Sequence, residues 1–474
     1  MENLNSFSEI RELLEEGKIT CEALVNHYLE NIQQNNHLNA FVEVYEEEAR
    51  SQAKALDQKI REGNAGSLAG LVVAVKDVIS HQGHDLNCGS DILKGFEAQF
   101  NATPVQRLLD EDAIIIGRTN CDEFGMGSSN ENSAFGPVKN PVDNQRVPGG
   151  SSGGSAVAVQ AGMCQVALGT DTGGSVRQPA AFCGIVGLKP TYSRISRYGL
   201  AAYASSFDTI GIFSRSIEDN ALLLEILSGP DEFDSTVSHQ PVPKYRKKDS
   251  EQKFRVGYIK ETLESEGLDP VIREKVQQSI EHLRENGHSV DEVEFPLLDY
   301  ILPTYYILTT AEASSNLSRY DGVKYGFRSD NSVDLESMYK KTRSEGFQTE
   351  TKRRIMLGTF VLSASYYDAF YTKAQKVRKL IREQTTALLS NHDCLILPTT
   401  PTPAFMLGEH LNDPLEMYLA DLFTVQASVS GVPAISIPAG NNPEGLPIGI
   451  QLIGNSFEEE KLYAISEILL HRGS

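Results

Sequence analysis

The chain has 474 residues, and its 40% of hydrophobic side chains is enough to build a substantial core. Its 43 basic and 64 acidic residues give a net charge of −21, so any RNA is expected to be held by another chain. The six cysteines include no C-x-x-C pair and no neighbouring set of histidines, so neither a disulfide framework nor a metal site is expected. No apolar signal region and no apolar run of roughly 18 residues is found, so we expect a cytoplasmic protein without membrane contact.

The periodicity of apolar residues predicts an α/β protein with two parts. Residues 1–65 are predicted to form an N-terminal helical segment, and 66–474 a single catalytic domain. Polar stretches near 231–252 and 327–352 are predicted to be surface connections within that domain. In chain order, strands are predicted at 71–75, 113–116, 165–168, 254–259, 290–295, 395–397, 434–437 and 448–452, with helices at 271–285 and 354–389. The late strands are expected to complete one sheet.

Two turns rich in glycine and serine are the most informative feature of the chain. The first is GGSSGGS at 149–155, the second is GTDTGGS at 169–175, and a small apolar stretch separates them. Glycine lets the backbone approach a ligand and direct several N–H groups at one point, while serine offers a hydroxyl that can attack or relay a proton. This pairing is suited to acyl transfer.

A serine nucleophile needs a base, and Lys76 is the candidate. It follows the apolar strand predicted at 71–75, where buried surroundings can desolvate its ammonium group. Lowering a lysine pKa from about 10.4 towards 7 or 8 takes roughly 3 units, or about 4 kcal/mol, which burial can supply.

Other interpretations of these residues are weaker. A Gly/Ser cluster is most often a flexible linker, but a linker does not continue into an Ala/Val stretch and a second glycine-rich turn. Residues 149–153 also fit the G-x-S-x-G nucleophile elbow, which requires a preceding strand, whereas 140–148 is polar and contains two prolines. The sequence has no G-x-x-x-x-G-K-[ST] phosphate loop. A lysine at a strand end is usually a solvated charge, so its proposed role depends on the two serine turns.

Lys76, Ser151 and Ser175, with the runs at 147–155 and 169–175, closely resemble the amidase signature family. The resemblance implies a Ser-Ser-Lys triad in which Ser175 is the nucleophile, Ser151 the bridging serine and Lys76 the base. It also implies a cis peptide bond between Ser151 and Ser152.

The same resemblance covers nearly the whole chain and implies its fold. That fold is an α/β architecture with a central mixed β-sheet covered by helices on both faces. In such a site, the backbone N–H groups of the second turn are expected to meet the oxyanion of the reaction, which makes Thr172, Gly173 and Gly174 candidates.

The second half of the chain resembles the family members that hydrolyse glutamine for tRNA-dependent amidotransferases. The resemblance is carried by the stretches at 305–322, 353–360 and 417–424. It implies that Arg354 grips the α-carboxylate of glutamine, that Asp421 grips its α-ammonium group, and that Tyr305 lines the pocket. A free amino acid requires such a pair of opposite charges, whereas a hydrophobic amide needs neither.

Arginine and aspartate on helices are ordinarily surface charges or salt-bridge partners, so these assignments have a plain alternative. Arg353 is adjacent to Arg354, and only the resemblance distinguishes the two.

The resemblance implies a glutaminase that supplies ammonia for converting Glu-tRNA(Gln) to Gln-tRNA(Gln). The chain itself would need no cofactor and no metal, because ATP and Mg²⁺ would be used by a partner subunit that also holds the tRNA. A small third subunit would complete a heterotrimer. Two alternatives stay open: a stand-alone amide hydrolase with the same triad, and a non-catalytic scaffold, which the filled triad positions disfavour.

Overall fold

The computed structural model describes residues 6–245, 252–410 and 413–471. Its strands are β1 (Phe41–Val44), β2 (Val72–Lys76), β3 (Ile114–Thr119), β4 (Val166–Asp171), β5 (Val186–Lys189), β6 (Thr209–Ser214), β7 (Arg255–Ile259), β8 (Ser289–Val293), β9 (Cys394–Pro398), β10 (Ala434–Asn441) and β11 (Pro447–Gly454). Its α-helices are α1 (Phe7–Glu15), α2 (Cys21–Gln34), α3 (Glu46–Glu62), α4 (Thr103–Asp110), α5 (Gly153–Gln160), α6 (Arg177–Cys183), α7 (Ile217–Leu227), α8 (Lys260–Glu264), α9 (Pro270–Glu285), α10 (Leu298–Asn316), α11 (Leu335–Gly346), α12 (Thr349–Val361), α13 (Lys373–Asn391), α14 (Pro414–Leu419), α15 (Val425–Ser430) and α16 (Glu459–Leu470).

All of these strands belong to one mixed sheet. Their order across it is β1-β3-β2-β4-β6-β5-β10-β11-β9-β7-β8. Strand β2 runs parallel to both β3 and β4, and β7 runs parallel to β8 and β9, while the remaining pairs are antiparallel. The late strands β9, β10 and β11 lie in this same sheet, as the sequence predicted. The predicted α/β class with a mixed central sheet is confirmed.

The central strands are buried along their whole length. Every residue of β2, β3, β4, β6 and β11 is buried. Because successive side chains of a strand point to opposite faces, such strands require cover on both faces of the sheet. Helices supply it: α5 and α6 pack together on the central strands, and α7, α9 and α16 form a second packed group.

The N-terminal segment is helical except at one place. Residues 41–44 form β1, which pairs antiparallel with β3 at the edge of the sheet, so the prediction of a wholly helical segment is wrong there. A strand of four half-buried residues is too short to show a clear period. The segment therefore shares the sheet of the catalytic domain, and its residues 1–5 lie outside the described ranges.

Two predictions for the second half need correction. The stretch 327–352 holds helix α11 and the start of α12, and is not merely a connection. The single helix predicted at 354–389 is broken, because α12 ends at Val361 and α13 begins at Lys373 after a π-helical turn at Tyr367–Thr372. The hydroxyl of Ser363 donates to the Phe360 carbonyl at 2.8 Å, a local bond that competes with the helical ladder.

The other predicted connection, 231–252, has neither helix nor strand in its described residues, while 246–251 lie outside the described ranges. Within those ranges, no helix combines the length and the apolarity needed to cross a bilayer. All six cysteines are buried and free. Burial raises the pKa of Cys21 and Cys164 to about 12, which keeps both thiols protonated and unreactive at neutral pH.

Candidate active site

Two neighbouring parallel strands bring the predicted catalytic residues to one edge of the sheet. Lys76 is the last residue of β2 and Asp171 the last residue of β4, which pairs with β2 in parallel. Ser151 lies in the loop that leads into α5, and Ser175 lies in the turn from β4 to α6. Because parallel strands end at the same edge, both glycine-rich turns meet there with the lysine.

The ammonium group of Lys76 is surrounded by hydroxyls. Its Nζ donates to Ser151 Oγ, Ser152 Oγ and Thr170 Oγ1, each at 2.8 Å. Burial lowers the pKa of Lys76 to about 8, although nearby acidic groups oppose this effect. At pH 7, about a tenth of the molecules then carry a neutral lysine that can act as a base.

Ser151, the first of the two serines bonded to Lys76, follows a cis peptide bond. This bond joins Gly150 to Ser151, so the position predicted between Ser151 and Ser152 is wrong by one residue. Cis bonds are almost confined to proline, so a glycine-serine run carries no signal for where one falls. The Gly150 N–H donates to Gln178 Oε1 at 2.8 Å, and the Ser151 carbonyl accepts from the Asp122 N–H at 3.1 Å. Ser151 is thus held from both sides.

Ser175 is the member of the predicted triad that solvent reaches. It is 9% exposed, whereas Lys76 and Ser151 are fully buried. Its carbonyl accepts from the Ser152 N–H at 3.3 Å, which joins the two turns. Among the described residues its hydroxyl makes no hydrogen bond, and Ser151 Oγ is bonded to Lys76 instead. Catalytic hydrogen bonds of this kind often form only once substrate is bound.

A buried ion pair shapes the turn that carries Ser175. Arg177 Nη2 lies 2.8 Å from Asp171 Oδ1, and both side chains are fully buried. The carboxylate also accepts from the N–H groups of Gly174 at 2.9 Å and Val176 at 3.2 Å. Burial would raise the pKa of Asp171, but Arg177 and these N–H groups hold it below its usual value. Sequence reasoning missed this pair, although both residues stand in or beside the second motif.

The N–H groups predicted to bind an oxyanion divide into two kinds. Those of Thr172, Gly173 and Ser175 make no hydrogen bond within the described residues and are available. The prediction for Gly174 is wrong, because its N–H is engaged by Asp171; its φ of +131° explains why glycine stands there. A side chain at 173 would come within 2.3 Å of the Tyr305 hydroxyl, so Tyr305 lies directly against this turn, as its predicted place in the pocket requires.

The carboxylate of Asp421 lies in a buried polar pocket. Tyr306 donates its hydroxyl to Oδ2 at 2.9 Å, and the Ser128 hydroxyl lies 3.0 Å from both carboxylate oxygens. Burial raises the pKa of Asp421 to about 7, although these hydroxyls and Arg354 oppose the shift. Tyr306 and Ser128 were not singled out from the sequence; the Tyr-Tyr pair at 305–306 was the available signal for the first.

Arg354 is held by α12 among aromatic rings. Its Nε donates to Glu350 Oε1 at 2.9 Å and its Nη1 to the Tyr203 hydroxyl at 3.0 Å. Its guanidinium carbon lies 5.5 Å from the ring centres of Tyr306 and Tyr418. The remaining nitrogen, Nη2, makes no hydrogen bond in the described part of the chain, so its two N–H donors are free for a ligand.

The structure distinguishes Arg354 from its neighbour. The side chain of Arg353 is 42% exposed and pairs with Glu350 at the surface, while that of Arg354 is 3% exposed. Only Arg354 shares the aromatic pocket with Tyr306, whose hydroxyl reaches Asp421. Burial therefore makes Arg354 the better candidate of the two.

The charged pocket and the serine turn are directly connected. The Thr424 hydroxyl, one helical turn after Asp421, donates to the Gly173 carbonyl at 2.6 Å. On the other side, the Ser128 carbonyl accepts from Gln178 Nε2 at 2.7 Å, and Gln178 in turn binds the loop of Ser151. The Asp421 carboxylate, the Arg354 guanidinium and the turn of Ser175 are thus linked through neighbouring contacts.

The fold and this site define a class of enzyme, and comparison with known proteins agrees. The family model described as Amidase matches residues 23–463. The chain belongs to the amidase family.

Within that family, the chain is similar to one type of subunit from a larger enzyme. It is 52% identical over 466 residues to the A subunit of the glutamyl-tRNA(Gln) amidotransferase of Chlorobium luteolum, covering 98% of this chain and 96% of that protein. The solved structure of the corresponding A subunit from Thermotoga maritima is 39% identical with a TM-score of 0.78, covering 94% of this chain and 91% of that one. A solved structure described as an amidase is 31% identical with a TM-score of 0.83, covering 99% and 100%.

Proposed function

We propose that this chain is the glutamine-hydrolysing subunit of a glutamyl-tRNA(Gln) amidotransferase. The observation that carries the proposal is the buried pair of opposite charges, Arg354 and Asp421, in a pocket bonded to the turn of Ser175. An amide hydrolase for neutral substrates needs no such pair. The similarity to amidotransferase A subunits over almost the whole chain supports the same conclusion.

Glutamine would be held by its two α-substituents. The free Nη2 of Arg354 can donate a charge-assisted hydrogen bond to the α-carboxylate. Asp421 can accept from the α-ammonium group once its carboxyl is ionised. Tyr305, which lies against Gly173, would line the path of the side chain towards Ser175.

The first chemical step forms an acyl-enzyme. Ser175 Oγ attacks the side-chain amide carbon as its proton passes to Ser151 Oγ, whose own proton passes to neutral Lys76. The developing oxyanion meets the free N–H groups of Thr172, Gly173 and Ser175. The C–N bond then breaks as the relay returns a proton to the leaving nitrogen, and ammonia departs.

The second step restores the enzyme. Water attacks the glutamyl ester while the same relay takes its proton. The bond to Ser175 Oγ then breaks as the relay returns that proton to the serine oxygen, and glutamate leaves. A closed passage for the ammonia would keep it from being protonated and lost to water.

The amidation itself belongs to other chains in this proposal. A larger partner, the B subunit, would hold the tRNA and use ATP and Mg²⁺ to activate Glu-tRNA(Gln), and a small C subunit would complete a cytoplasmic heterotrimer. This chain would carry no cofactor of its own. Its net charge of −21 fits a division of labour in which the tRNA is held elsewhere.

The alternative is a stand-alone amide hydrolase, and the similarity to a solved amidase is the observation that favours it. The test is to purify the chain with the B and C subunits from the same cell and to measure ammonia release from glutamine and from simple uncharged amides. Glutamine should be strongly preferred, and Gln-tRNA(Gln) should form from Glu-tRNA(Gln) and ATP. Equal turnover of simple amides, with no product on tRNA, would establish the alternative instead.

A further inference from the structure

A second cluster of chemistry-bearing side chains lies in the loop after β2. One ring nitrogen each of His81 and His84 and one carboxylate oxygen of Glu48, on α3, lie within 4.8 Å of one another. His84 Nε2 is already 3.0 Å from Glu48 Oε2. The cluster shares no residue with the proposed active site, so its function has to be sought separately.

The side chain of His81 provides an independent observation that points to a ligand. The residue is only 7% exposed, and its Nδ1 is buried without a hydrogen-bond partner in the described residues. Buried polar atoms are nearly always paired, because leaving one unpaired costs free energy. Its ring is stacked on that of His84, with centres 4.6 Å apart. One ring nitrogen of each histidine lies within 4.8 Å of the other, so a single ligand can meet both rings.

The surroundings of His84 hold its ring in place. Tyr45 stacks on it at 3.7 Å between ring centres, and Glu43 Oε1 lies 3.5 Å from its Nδ1. Glu43 is itself bound by Arg118 at 3.0 Å. A carboxylate on the far nitrogen of a histidine is the usual means of orienting that histidine towards a metal ion.

We propose that Glu48, His81 and His84 bind a divalent transition-metal ion, with Zn²⁺ as the best match. Two imidazoles and one carboxylate are a recurrent zinc donor set that leaves a fourth position for water. Tetrahedral zinc places its ligand atoms about 3.3 Å apart. Glu48 and His84 already lie this close, so the closure from at most 4.8 Å has to come at His81.

The ion would tie α3 to the loop after β2. That loop begins at Asp77, directly after Lys76, and Asp77 accepts from the N–H groups of Asn87 at 3.1 Å and Gly89 at 2.8 Å. The metal would thus stabilise, through His81 and His84, the loop that begins directly after the proposed base. No metal site was expected from the sequence because that expectation depended on cysteine sets, whereas these donors come from two separate segments.

The experiment uses the tag-free, full-length chain, stripped with a chelator and dialysed against Zn²⁺, with bound metal measured by mass spectrometry. One Zn²⁺ per chain is expected, and Co²⁺ should give the intense visible bands of a four-coordinate site. Glu48→Gln and His84→Ala should each weaken binding by at least about tenfold. The matched control is Glu467→Gln, which breaks a His–Glu contact of the same 3.0 Å length at His471, where the described residues provide no third ligand.

The control variant should bind Zn²⁺ as the parent does. A parent that binds no Zn²⁺ at micromolar concentrations, or a Glu48→Gln variant with undiminished binding while circular dichroism shows it folded, would overturn the proposal. Millimolar Mg²⁺ should not compete, because it prefers oxygen ligands. Effective competition by Mg²⁺ would show an acidic surface site and would equally overturn it. As a second readout, Zn²⁺ should raise the Tm of the parent but not of Glu48→Gln.

Discussion

The adjacent arginines of α12 allow the proposed substrate pocket to be tested with a matched pair of variants. Arg354→Ala removes a guanidinium buried among Tyr203, Tyr306 and Tyr418, while Arg353→Ala removes one at the surface. Both side chains bind Glu350, so either change leaves that carboxylate with one arginine. Arg354→Ala alone also removes the donor proposed for the glutamine carboxylate, together with the contacts to Tyr203 and Tyr306.

The expected magnitudes follow from burial. Leaving one member of a buried charge pair unmatched costs about 2 to 5 kcal/mol, so Arg354→Ala should lower kcat/KM for glutamine about 30-fold to several thousand-fold. Arg353 itself is exposed, and an exposed charge in an ion pair contributes about 0 to 1 kcal/mol, so Arg353→Ala should change kcat/KM by no more than about fivefold.

The assay is ammonia release from glutamine by the assembled complex. A small acylating probe without either α-charge serves as the control, and it should label Ser175 at the parent rate in both variants. Thermal unfolding checks that both are folded. Equal losses in the two variants, or an Arg354→Ala variant within threefold of the parent, would refute the assignment of the pocket.

The remaining predictions concern the proposed chemistry. Ser175→Ala should abolish glutamine-dependent activity while ammonium salts still support formation of Gln-tRNA(Gln); glutaminase activity within tenfold of the parent would contradict the nucleophile. Lys76→Ala should lower the rate by about 10² to 10⁴, and Lys76→Arg should not rescue it, since arginine stays protonated; a fully active arginine variant would show that only charge matters. The activity should rise with pH, because Asp421 must be ionised and its raised pKa is about 7, while Lys76 must be neutral and its lowered pKa is about 8. Both contributions are lost as pH falls, and Asp421→Asn should remove the lower inflection in the kcat/KM profile and keep the upper one; a flat profile between about pH 6 and 9 would exclude both roles.

The fold was predictable where burial makes the sequence pattern strong. The strands β2, β4, β9 and β11 are buried along their length and largely apolar, because helices cover the sheet on both faces. The edge strand β1 was not predicted because its four residues are only partly buried. The break between α12 and α13 was not predicted because no proline or glycine lies between the two helices. The proposed division at residue 65 stays a prediction.

The site was predictable in its residue types more than in its contacts. The motif placed Lys76 and both serines correctly at one edge of the sheet, since strand order decides that meeting. It could not show that the Gly174 N–H donates to Asp171, because that hydrogen bond depends on how the turn is folded. Nor could it separate the two arginines of α12, whose difference is one of helical phase.

The contacts between pocket and turn explain why recognition and chemistry should depend on each other. Arg177 binds Asp171 with Nε and Nη2 and the Thr424 carbonyl with Nη1, at 2.6 Å, so a single buried cation holds both the turn of Ser175 and the segment that follows Asp421. The Thr424 hydroxyl closes the same contact onto Gly173. The spacing between the carboxylate that would bind the α-ammonium group and the hydroxyl that would attack the amide is therefore set by the fold before glutamine arrives. Since a displacement of about 1 Å can cost about a hundredfold in rate, this rigid link is what a substrate with both charges at one end and its amide at the other requires.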